Sequence, residues 1–103
     1  MLNVEKIAID MGYLYIEAGY GKWQDSSGNV KTLKSMSSDY LENCSNFIEK
    51  GIVEIEKGKV DKYIRQKIMK QTNDDATDEI LVTVKNEMIN ILKSKKNEID
   101  ELI

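Results

Sequence analysis

Apolar residues recur along this chain at helical spacing, then at strand spacing, then at helical spacing again, and these patterns mark its elements. Val4, Ile7, Ala8, Met11, Leu14, Tyr15 and Ala18 fall on one helical face, so the spacing predicts a helix over 3–18. Asn3 would cap its start and Gly19 would stop its end. Tyr13-Leu-Tyr-Ile16 pulls the other way, towards strand, and Gly12 weakens a helix interior by about 1 kcal/mol. Segments 20–25 and 30–34 read as two short strands around Ser26-Ser27-Gly28-Asn29, whose residues favour a tight turn. So short a hairpin cannot stand alone and must lie on a helix or join another sheet.

Helical spacing returns with Met36, Tyr40, Leu41, Cys44, Phe47 and Ile48. The predicted helix covers 37–50, with Ser37 or Ser38 as cap, Asp39 in its first turn and Gly51 as its end. Residues 52–58 read as a charged connector. A further helix is predicted over about 59–71, facing inward with Val60, Tyr63, Ile64 and Ile68. Thr77 then caps a last helix whose stripe is Ile80, Leu81, Val84, Met88, Ile91 and Leu92, extended by Ile99, Leu102 and Ile103. Ser94-Lys-Lys-Asn97 interrupts that stripe. At 1.5 Å per residue the helix would be roughly 35–40 Å long, and an apolar stripe that overhangs its own domain calls for self-association. Fraying after Lys93 is the alternative. The pattern as a whole describes one α+β domain over 1–103, a short β-hairpin packed on three or four helices with a long C-terminal amphipathic helix.

Composition narrows the chemistry. The chain has no His, no Pro and one Cys. No residue is therefore poised near neutral pH without tuning, and no ordinary zinc site can be assembled. No nucleophile constellation or paired carboxylates follow from spacing, so catalysis, metal binding and a cofactor are not expected. Cys44 lies on the apolar stripe, as a small buried hydrophobe would. A net charge of −3 argues against general nucleic-acid binding. The last thirty residues hold eight acidic against four basic side chains, so the negative charge sits at the C-terminal end. Lys59, Lys62, Arg65, Lys67 and Lys70 form the one basic patch, most simply a solvated helix surface. No apolar run is long enough to span a bilayer, and Met1-Leu-Asn-Val-Glu-Lys lacks the order of a signal peptide. A cytoplasmic location without membrane contact is expected.

One module carries a resemblance. Trp23 and Gly28 are five residues apart, and Trp23 and Met36 thirteen. Tyr40, Leu41 and Asn43 follow Met36 by four, five and seven. These offsets resemble those of small phage and prophage proteins of unassigned activity that share a Trp, a turn Gly, a Met and an aromatic-or-His–Leu–x–Asn run. The match covers about a fifth of the chain. Such proteins usually have His where this chain has Tyr40, so no acid–base or metal role passes to that position.

The resemblance and the aromatic N-terminal half together suggest a non-enzymatic, phage-type antagonist of bacterial immunity that sequesters a small nucleotide signal as a homo-oligomer. The candidate ligand-binding residues are Tyr20, Lys22, Trp23, Tyr40, Asn43 and Arg65. Rings stack on a base, cations meet phosphate, and an amide reads a base edge or ribose. Trp23 would equally serve to cover the helix stripe, and Asn43 to tie hairpin to helix. The alternatives are a protein-binding, anti-CRISPR-like inhibitor of a host defence complex, using the acidic C-terminal third, or a helical assembly adaptor.

Overall fold

The computed structural model describes residues 2–103. Its order is α1 (Val4–Asp10), β1 (Lys22–Gln24), β2 (Val30–Thr32), α2 (Ser38–Glu56), α3 (Asp61–Thr72) and α4 (Asp78–Asp100), with single 3-10 turns at Leu14–Ile16 and Leu33–Ser35. Two thirds of the residues are helical, and the fold is α+β. No described helix is long and apolar enough to cross a membrane.

Three side chains begin the helices where the sequence places caps. Asn3 accepts from the Lys6 N–H, Ser37 from that of Tyr40, and Thr77 from that of Ile80. The stops differ from expectation. The helix expected over 3–18 ends at Asp10, because Gly12 takes a φ of +104°. Its N–H donates to the Ile9 carbonyl, while the Tyr13 N–H reaches back to that of Ala8. This pair of bonds closes the last turn, and only Gly enters that conformation without strain. Tyr15 and Ile16 then reach the core from a 3-10 turn.

The same device ends α2, at Gly58 and not at Gly51. The Gly58 and Lys59 N–H groups donate to the Ile55 and Glu54 carbonyls. The expected connector 52–58 is therefore mostly helix, with Ile52 and Ile55 in the core. Gly51 stays helical and buried for a packing reason. A Cβ there would stand 3.0 Å from Tyr13 Cε1.

The two long helices run antiparallel along most of the molecule. Ser45, near the start of α2, donates to Asp100 at the end of α4 (2.7 Å), and Asp61, just beyond its end, pairs with Lys85 (2.9 Å). Ile48, Ile52 and Ile55 meet Val84, Met88, Leu92 and Ile99 in one core, joined by Ile7 of α1 and Ile64 and Ile68 of α3. Asn3 and Gln71 exchange hydrogen bonds that tie α1 to α3. Ile99 is fully buried within its own chain, so the expected overhang is limited to Leu102 and Ile103. The molecule measures 44 × 24 × 19 Å, so its long axis accommodates a helix of about 35 Å. The stripe also runs unbroken through 94–97, with Lys95 buried at the expected apolar position. Six residues placed on apolar stripes by spacing are exposed: Tyr40, Phe47, Tyr63, Ile80, Leu102 and Ile103.

The hairpin is antiparallel, with Trp23 opposite Lys31. Its turn is organised by Asp25, a residue the sequence reading left out. One Asp25 carboxylate oxygen accepts from the Ser27 and Asn29 N–H groups (2.9 and 3.0 Å). Bonds at Asp25–Asn29 and Leu33–Gly21 flank the Trp23–Lys31 pair, so Val30 and Thr32 direct their N–H groups to the outer edge of β2. Leu33, fully buried, closes the hairpin on the core before α2 begins.

Candidate functional site

A cleft of about 550 Å³ lies between the base of the hairpin and the last turn of α4. Tyr20, Gly21, Lys22, Thr32, Leu33 and Lys34 form one wall, and Glu98, Glu101 and Leu102 the other. Lys22 and Thr32 are cross-strand partners, so the sheet puts both side chains on the face towards the cleft. Tyr20 is 81% exposed between two glycines of positive φ, Gly19 and Gly21, and its ring stands free at the rim.

Beneath that turn lies the most polar spot of the interior. Lys95 is 4% exposed. Its ammonium donates to the Gly19 carbonyl (2.6 Å), the Lys22 carbonyl (3.0 Å) and Glu98 Oε1 (3.0 Å). Glu98 Oε1 also accepts from the Gly21 N–H at 2.7 Å. All three ammonium protons are thus satisfied, which is what permits a cation on a core stripe. The Lys22 carbonyl belongs to the outer edge of β1, so α4 covers that edge through a side chain. The sequence signal was the stripe itself. Lys95 lies three residues after Leu92 and four before Ile99, at core spacing.

The expected ligand residues do not converge. Tyr20 and Lys22 share the cleft. Trp23 is buried and stacked on Tyr15, with centroids 4.8 Å apart and planes 11° apart. Tyr40 sits outside the cleft under the Lys31 ammonium, 5.2 Å from the ring centroid. Asn43 is exposed on α2. Arg65 binds the Ala76 carbonyl and the Asp78 carboxylate, which fixes the turn into α4. Seventeen residues of α4 separate Asp78 from Lys95, about 25 Å along the helix. Arg65 therefore belongs to the far end of the molecule. Glu98 and Glu101 also line the cleft and were not singled out from the sequence.

An aromatic cluster centres on the buried Tyr15. Tyr15 contacts Tyr13, Trp23 and Phe47, and burial raises its phenol pKa, with Tyr13 and Glu54 adding to the shift. Cys44 is buried on α2, and desolvation pushes its thiol up to about 11. It stays a neutral thiol at physiological pH. No family model, curated protein or solved structure matches the chain.

Proposed function

We propose that this chain is a non-enzymatic, phage-type antagonist of bacterial immunity, and that it sequesters a small nucleotide signal in the cleft at the hairpin base. The observation that carries the reading is the exposed Tyr20 ring beside Lys22 and Lys34 in a cleft of about 550 Å³. That volume lies within the range of small-molecule sites. Tyr20 would stack on a base, Lys22 and Lys34 would face phosphate, and Leu33 and Leu102 supply apolar contact. Leu102 in the cleft's lining and the adjoining Ile103 remain exposed (37% and 59%), and a second copy covering them would enclose the ligand between chains.

The test is capture and release. Purified protein is incubated with cyclic di- and trinucleotides and with NAD-derived signals, then heated, and the supernatant is analysed by mass spectrometry. The expected result is one of these ligands retained and recovered unchanged. Tyr20→Ala should weaken capture about ten- to a hundredfold, the loss of one stacked ring. Absence of binding to all of them, or accumulation of a hydrolysed product beyond stoichiometry, overturns the proposal.

One observation favours a second reading, a protein-binding inhibitor. The outer edge of β2 presents the Val30 and Thr32 N–H groups without strand partners among the described residues. An extended segment of a host protein could add there as a third strand. Loss of target binding in Val30→Pro, with nucleotide capture absent in the wild type, would favour it.

A further inference from the structure

The bonding around Glu98 points to an anion seat that the chain fills with its own carboxylate. We propose that the Gly19–Gly21 turn and the Lys95 ammonium form a phosphate subsite bordering the cleft, and that an incoming phosphate displaces Glu98 from it. The inference rests on the nucleotide reading above and identifies where the anionic part of the ligand binds.

Two donors of different kind converge on one carboxylate oxygen. The Gly21 N–H stands 2.7 Å and the Lys95 ammonium 3.0 Å from Glu98 Oε1. A main-chain N–H set beside an ammonium is the arrangement that recognises a phosphate oxygen. The other two Lys95 bonds go to carbonyls, which solvate the cation without neutralising it, so an anion is required at this place. Glu98 supplies it in the free protein. A buried ion pair adds little stability over an apolar residue at the same stripe position, so core packing alone does not account for Lys95.

The surroundings allow the exchange. Glu98 borders the 550 Å³ cleft and also a second one of about 290 Å³ on the other side of the turn, which Gly19, Lys95 and the carboxylate-bearing Glu5 line as well. Its carboxylate can thus be approached from both spaces. Lys22 and Lys34 line the larger cleft together with Glu101, so the remaining phosphate oxygens would meet two cations against one further carboxylate. Tyr20, between the two glycines, would hold the base of the same ligand.

The test uses the full chain with inorganic phosphate and with AMP, in buffers matched in ionic strength by chloride. Glu98→Gln removes the competing charge and keeps the shape. Phosphate should bind this variant about tenfold or more tightly than the wild type, and should raise its melting temperature more. In amide spectra the Gly21 N–H should move on phosphate binding. Equal phosphate affinity in the two proteins, or phosphate binding that leaves the Gly21 amide unmoved, overturns the seat. Should Glu98→Gln fold poorly, the Gly21 amide of the wild type titrated with AMP decides the question, and a shift at saturation is expected. Phosphate binding to Glu98→Gln, with no nucleotide captured by the wild type, would support the seat and overturn sequestration. Nucleotide capture with an unmoved Gly21 amide would do the reverse.

Discussion

Tyr15 links Tyr13, Trp23 and Phe47, yet its hydroxyl is buried without a hydrogen-bond partner among the described residues. An unpaired buried hydroxyl costs desolvation that nothing returns. Tyr15→Phe keeps the ring contacts and should equal or exceed wild-type stability, by up to about 1 kcal/mol, in urea unfolding. A loss of stability would show that the hydroxyl is satisfied in solution. Cys44 offers a second residue-scale check. With its thiol pushed up to about 11 by burial, it should react slowly with a thiol reagent at neutral pH and quickly in urea. Rapid labelling of the native protein would place it at the surface.

Elements in this molecule are bounded by particular side chains, so their ends can be weakened one at a time. Ser37→Ala and Thr77→Ala should each cost about 1 kcal/mol through a lost helix cap. The hairpin turn and the α2–α4 contact depend instead on carboxylates. Asp25 is held below its ordinary value by the Asn29 and Ser27 N–H groups, and Asp100 by Lys96 and Ser45. A lowered folded-state pKa means that the contribution is present above the ordinary carboxylate value of 3.8 and is lost as pH falls through the folded value. Stability should therefore hold from neutral pH to about 4 and decline below it. Asp25→Asn should flatten part of that decline when Trp23 fluorescence follows unfolding. An acid limb unchanged in Asp25→Asn would remove the turn as its source.

At the scale of the whole molecule, the C-terminal third of α4 carries both the core and the cleft. Lys95 anchors the hairpin and Ile99 is fully buried. Truncation after Lys93 should thus destabilise the entire domain, where the sequence pattern alone predicts lost assembly with an intact core. Circular dichroism on the truncated chain decides between them. Arg65 provides the opposite control. Arg65→Ala releases the connector at Ala76–Asp78 and should lower stability, but leave nucleotide capture unchanged, because the cleft lies at the other end of α4. Loss of capture by a folded Arg65→Ala protein would contradict that separation. Light scattering measures whether Leu102 and Ile103 bring copies together.

Local rules were enough to determine much of this protein. Periodic apolar residues fixed the existence of α2, α3 and α4, because a helix must bury one face at 3.6-residue spacing. Asn3, Ser37 and Thr77 marked the helix starts, since a cap acts within its own turn. Trp23, Gly28 and the flanking strands announced the hairpin for the same reason. Tertiary structure decided what depended on distant neighbours. Gly51 and Gly58 are equally good helix stops by type, and only the burial of Ile52 and Ile55 beyond Gly51 shows why the helix runs on. Lys95 reads as a break in a stripe until Gly19, Lys22 and Glu98, up to 76 residues away, supply its partners. The same holds for function: Tyr20 and Lys22 share a cleft with Glu98 and Leu102, while Arg65 is a helix length away. Spacing along a chain specifies which face a residue occupies. Which residues meet across faces follows only from how the elements pack.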